Sequence, residues 1–303
     1  MKNSIKIMIL LFLSICLILF SSEIITSINF SLNVFKSNVF PSLFPFFVIS
    51  NLLINYGLVE VLSKLLSPFM VNFFKTNPNT SFIFIMSMIS GFPASAKYAK
   101  ELLDKNLIDE KDANKIILFS HFSNPIFILT TLALTFLENK RIGFLILFSH
   151  YIGNIIIGLI FRNYNISLVT KNDINNREIQ SFGLALTNSI KGAIDTLLLI
   201  LGTTTTFIIL TTIIGKLIPF NNYYKSIFSG LLELTQGLKY VSLLQIPLKH
   251  KAIISSFLLS FGSLSIHAQV TSIIKIKYSY YLGSRILHAF ISGLITFICF
   301  NLF

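Results

Sequence analysis

An apolar run from Phe82 to Ile89 ends in Ser90-Gly91-Phe92-Pro93-Ala94-Ser95-Ala96-Lys97, and this stretch constrains the fold more than any other. Gly91 tolerates backbone angles that other residues avoid. Pro93 lacks an N–H and disfavours helix at Phe92. A helix at membrane depth is therefore expected to break here. Broken backbone at that depth survives only where protein buries it or where it lines a watery cavity. The break leaves free N–H groups at the start of the next helix, with Lys97 one turn in, an arrangement that suits an anion.

Membrane depth follows from composition. The 303 residues are 53% hydrophobic and 12% charged, and mean hydropathy is +0.77. Several apolar runs approach the roughly 20 residues that cross a bilayer. The formal charge of +12 is spread along loops and helix ends, which suits cytosolic loops near anionic lipid and argues against nucleic acid as a partner. Cys16 and Cys299 lie in apolar segments near opposite ends and read as buried small hydrophobes. No metal-ligand spacing, nucleophile elbow, Walker loop or His-Glu-x-x-His motif is present, so neither catalytic residues nor a metal or cofactor is expected.

Along the chain, Lys2 and Lys6 precede an apolar run through Phe20, read as an uncleaved first helix with a cytosolic N-terminus. Phe40-Pro41 opens a helix expected to run to about Leu66, ended by Pro68 and the Lys75–Asn79 turn. Thr80 is the expected N-cap of the run that stops at Ser90. The charged stretch from Lys97 to Lys115 reads as a solvated helix-turn-helix. The next span is interrupted at Ser120-His121-Phe122-Ser123-Asn124-Pro125, and another runs from Phe144 to Phe161. The polar, Asn-rich segment that follows is a linker, after which the apolar runs resume at Phe182.

The halves are laid out alike. Ser-Gly-Phe-Pro-Ala-Ser-Ala-Lys at 90–97 and Ser-Phe-Gly-Ser-Leu-Ser-Ile-His at 260–267 each follow an apolar run and precede a basic segment and another span. Interrupted hydrophobic segments at corresponding places in two halves point to a transport site at the midplane. Glu233, in Gly230-Leu231-Leu232-Glu233-Leu234-Thr235-Gln236-Gly237, is a costly carboxylate in an apolar stretch and so a candidate site or proton-coupling residue. His121 and His267 with Gln269 read equally as cavity lining or helix contacts, and Arg285 and His288 as interfacial or packing residues. The expected organisation is an N-terminal helix and loop over 1–38, a first repeat over 39–162, a linker over 163–181 and a second repeat over 182–303.

Four stretches in this order carry a resemblance: Phe40-Pro41-Ser42-Leu43-Phe44-Pro45-Phe46-Phe47; Ser90-Gly91-Phe92-Pro93 with Lys97; Asn124-Pro125-Ile126-Phe127-Ile128; and Gly230-Leu231-Leu232-Glu233 with Gly237. From about Val39 to Phe300 the chain resembles the YlbJ-type (SpoVV) sporulation integral membrane proteins of the nucleoside-recognition, or gate, superfamily. That resemblance implies movement of dipicolinic acid across the outer forespore membrane, on a fold of inverted repeats whose hairpins meet at the substrate. The chain departs from the family pattern before Pro125, where Ser120-His121-Phe122-Ser123 stand, and at Gly262, which no Pro follows.

The expected fold is therefore an all-α polytopic membrane protein of two repeated, inverted halves with broken, re-entrant hairpins. The expected substrate is a small organic anion, dipicolinate, with Ser90, Gly91, Pro93 and Lys97 shaping one side of the site. Asn124, Glu233, Thr235, Ser263 and Ser265 supply polar contacts. A nucleoside carrier of the same fold and a non-transporting scaffold of spore envelope assembly are the alternatives. The lipid bilayer is the expected environment, and a homo-oligomer stays open.

Overall fold

The computed structural model describes residues 2–166 and 181–303, so most of the expected linker at 163–181 lies outside the described residues. Everything regular among them is helical. Helix α1 (Lys2–Leu19) is followed by α2 (Ser21–Val34), which passes through a π-helical turn, Phe35–Val39, directly into α3 (Phe40–Asn55). The expected start at Phe40 is thus a change of winding inside one long helix. Pro41 and Pro45 cannot donate backbone bonds, and the wider turn before them accommodates the mismatch.

The helix expected to reach Leu66 is instead two, because the chain turns at Tyr56-Gly57 before α4 (Leu58–Asn72). Pro68 sits within α4 and does not end it. Helix α5 (Thr80–Ser90) has Asn79, not Thr80, at its N-cap position; the Thr80 hydroxyl donates back to Asn77 O at 2.6 Å. Helices α6 (Ala94–Asp104) and α7 (Glu110–Phe119) form the charged helix-turn-helix, but only one face is wet. Lys97, Asp112 and Lys115 are buried, and the Lys115 ammonium donates to Lys75 O and Arg162 O, both at 2.6 Å. Charge counting missed this because a buried ammonium can satisfy carbonyls left open at helix ends.

After α7 the backbone is irregular over 120–124, then resumes as a π-helix, Phe127–Phe136, and α8 (Lys140–Ile160). The second half holds α9 (Phe182–Leu217), α10 (Asn222–Leu232), α11 (Leu234–Leu243), α12 (Leu248–Phe261), α13 (Leu264–Ile273) and α14 (Tyr278–Cys299). Five stretches among the described residues are long and apolar enough to cross a membrane: Ser21–Asn55, Lys140–Ile160, Phe182–Leu217, Leu248–Ile273 and Tyr278–Leu302. Five such stretches are what a multi-pass integral membrane protein requires.

The interrupted segments are of two kinds. Helices α5 and α6 fold back on one another, as do α10 and α11. The second pair is so tight that a methyl group on Gly237 would come within 2.0 Å of the Gly230 α-carbon. Helices α12 and α13 take different neighbours: α12 lies on α14 and α8, and α13 on α9 and α6. The stretch 90–97 joins a folded-back pair, and 260–267 joins a run-on pair. Both contain a glycine at positive φ, 84° for Gly91 and 73° for Gly262.

Candidate functional site

Four interruptions border one central cavity of about 490 Å³, the α5–α6 break through Phe92. The irregular segment contributes Ser123 and Asn124, the α10–α11 junction contributes Glu233, Leu234 and Thr235, and α13 contributes Ser265, Ile266 and Gln269. The opposite wall comes from α2, the π-helical turn and α3, including Asn38, with Thr131 from the second π-helix and Thr204 from α9. Residues of the first turns of α11 and α13, at the N-terminal ends of these helices, line the space. Such ends favour anionic groups.

Glu233 is the residue that ends α10 and caps α11. Its carboxylate accepts the backbone N–H of Thr235 at 3.1 Å and of Gln236 at 2.8 Å. An extended backbone at Glu233 lets the side chain reach forward to those donors. The carboxylate is almost wholly buried, at 3% exposure, and is the only ionisable side chain among the described lining residues.

Asn124 joins two interruptions. Its amide nitrogen donates to Ser90 O at 3.1 Å, and its amide oxygen accepts the Ile126 N–H at 2.7 Å. Gly91 makes room for this contact. The Phe92 ring then enters the cavity wall and stacks on His121, with ring centroids 4.8 Å apart.

The unwound backbone before Asn124 is held from behind by α8 and α14. Ser123 N donates to His150 Nε2 at 2.9 Å, and Asn154 Nδ2 donates to His121 O at 2.9 Å. The Arg285 guanidinium donates to Leu118 O. Arg285 also lies 3.1 Å from His288 Nδ1, while His288 Nε2 reaches His150 O at 2.8 Å. These bonds answer where the polar groups of a broken helix go when no water reaches them. Arg285 and His288 are fully buried and so are packing residues, not interfacial ones.

Of the residues expected at the site, Asn124, Glu233, Thr235 and Ser265 line the cavity, and Ser90, Gly91, Pro93, Lys97 and Ser263 are not in its lining. Ser90 binds the Tyr98 hydroxyl at 2.9 Å, which in turn donates to Ser50 at 2.7 Å. Pro93 is the N-cap residue of α6, and the Ser263 hydroxyl lies 2.9 Å from that of Ser265. Lys97 turns outward to α9: its ammonium donates to Gly192 O at 3.2 Å and sits 4.3 Å from the Phe47 ring centroid. Sequence reasoning missed Asn38, which donates to Thr131 at 2.7 Å. An Asn just before an apolar run was the available signal, overlooked because Asn38 precedes the expected repeat. Among the described residues no cluster of three His, Cys, Asp or Glu side chains is arranged to hold a metal ion.

Comparison with known proteins agrees with this architecture. The family model described as Gate, nucleoside recognition, matches residues 37–140, which span α3 to α7 and the irregular segment beside the cavity. The sporulation integral membrane protein YlbJ of Bacillus subtilis (strain 168) is 32% identical over 277 residues, covering 78% of this chain and 67% of that protein. No solved structure matches the chain. With that identity and coverage, the chain belongs to the YlbJ family of sporulation integral membrane proteins.

Proposed function

We propose that this protein is a secondary transporter that carries dipicolinate, a small flat dianion, across the outer forespore membrane during sporulation. The observation that carries the reading is the convergence of four interrupted segments on one cavity, with the first turns of two helices lining it. Interrupted helices at corresponding places in two halves are how secondary transporters build a midplane site. On this reading the halves are inverted repeats, α5–α6 and α10–α11 enter and leave from opposite faces, and one half rocks against the other.

Glu233 has a specific part in this scheme. A carboxylate and a dianion cannot share a low-dielectric cavity uncompensated. Glu233 therefore takes up a proton or a coupling cation when the anion binds. Asn124, Thr235 and Ser265 supply hydrogen bonds, and the first turns of α11 and α13 supply positive potential.

A nucleoside is the second reading. It is favoured by a cavity lining whose described residues include no Lys or Arg and several amide and hydroxyl groups. Flux of labelled dipicolinate into liposomes holding the purified protein, with excess unlabelled uridine, separates the two. Saturable uptake indifferent to uridine supports dipicolinate. Uptake blocked by uridine moves the assignment to nucleosides, and folded protein that moves neither is a scaffold.

A further inference from the structure

A second cavity, also about 490 Å³, lies among α2, α9, α10 and α11. The wall between it and the central cavity is the first turn of α11. Leu234 and Thr235 face the central cavity, whereas Gln236, Lys239 and Tyr240, at positions i, i+3 and i+4, face the second. The two spaces have opposite electrostatic character. The central one holds a carboxylate and no described cation; the second is lined by Lys216, Lys225 and Lys239 with Glu23 as its one acid.

One of those lysines is already neutralised. Lys216 pairs with Glu23 at 2.5 Å, both partly exposed, and ties the end of α9 to the start of α2. The other two are not paired with acids among the described residues. The Lys225 ammonium lies 5.1 Å from the Tyr240 ring centroid, and the Lys239 ammonium 4.8 Å from that of Phe30. Between them Gln236 is only 7% exposed, and its amide oxygen is buried with no hydrogen-bond partner. Its amide nitrogen is 3.3 Å from the Tyr240 hydroxyl. Turning the amide over would keep the Tyr240 bond and offer an N–H donor in place of the unpartnered oxygen.

We propose that the second cavity is an anion-binding vestibule for the transported solute, taking a compact soluble dianion on Lys225 and Lys239 with Gln236 as an uncharged contact. This rests on the organic-anion reading above and adds where the anion is gathered before it meets Glu233. The Gln236 backbone N–H is itself held by the Glu233 carboxylate, so the two cavities share one hydrogen-bonded turn. A lipid phosphate headgroup has the same chemistry and is the rival occupant.

The test is binding, measured without transport. Calorimetric titration of the purified full-length protein with dipicolinate, and separately with inorganic phosphate, is compared with the Lys225→Gln/Lys239→Gln double variant. Lys249→Gln, whose ammonium lies over Phe297, serves as the charge control. Expected is salt-sensitive dipicolinate binding weakened about tenfold or more in the double variant and unchanged in the control. Equal weakening in the control, or none in the double variant, overturns the proposal. So does lysine-dependent stabilisation by phosphatidylglycerol nanodiscs over phosphatidylcholine ones when neither soluble anion binds. Lysine-dependent dipicolinate binding without liposome flux sustains the anion site on Lys225 and Lys239 but overturns its part as a vestibule, together with the transporter reading. Saturable flux with binding indifferent to the lysines does the reverse.

Discussion

A methyl group placed on Gly91 would lie 2.5 Å from the backbone nitrogen of Asn124, so the two interruptions of the first half touch backbone to backbone. The contact is sealed by the Asn124 amide donating to Ser90 O. Gly91 also has φ 84° and ψ 176°, a region open in practice to glycine alone.

Gly91→Ala is therefore expected to cost about 3 kcal/mol or more, from strain and collision together. Thermal unfolding in detergent should show a large loss of stability or no folded protein. Gly183→Ala, in a helix with open space around it, should stay within about 1 kcal/mol of the parent. Equal effects at the two positions would mean that the Gly91–Asn124 contact is not made.

Glu233 both caps α11 and lines the cavity. Glu233→Ala should lose about 0.5–2 kcal/mol from the missing cap and should not transport. Glu233→Gln keeps an acceptor for the α11 N–H groups and should fold normally. Its dipicolinate flux should nonetheless fall by about tenfold or more if the carboxylate carries the coupling charge. Normal flux in Glu233→Gln would assign the residue to capping alone.

Lys97 faces α9 and not the cavity. Lys97→Met preserves the stem and removes the bond to Gly192 O and the contact with Phe47. The expected result is a stability loss on the order of 1 kcal/mol, with the dipicolinate KM within about twofold of the parent. A KM raised about tenfold in folded Lys97→Met would show that the ammonium reaches the substrate.

Arg285 holds Leu118 O, at the end of α7, from within α14. Arg285→Met leaves that carbonyl and the His288 ring without their partner, at a cost on the order of 3 kcal/mol. Arg285→Lys, which can meet one acceptor but not the forked set, should recover only part of the loss. Unfolding midpoints of the two variants check the order. A fully stable Arg285→Met would mean that α14 does not support the interruption.

The chain's own sequence determined that this is an all-helical membrane protein with interrupted spans, because both signals are local. Apolar run length sets what can cross a bilayer, and Gly91, Pro93 and Gly262 act on the backbone at their own positions. Asn124, Glu233, Thr235 and Ser265 could be picked out because polar groups in apolar runs are costly wherever they fall. Only the tertiary structure decided which of the chosen residues share a space. Lys97 and Glu233 are both charges beside a helix interruption, yet one is directed to α9 and the other into the cavity. That difference depends on which helix packs alongside, as does the pairing of Asn38 with Thr131 across 93 positions. Side-chain direction is set by neighbours far apart in the chain, and no local pattern encodes them.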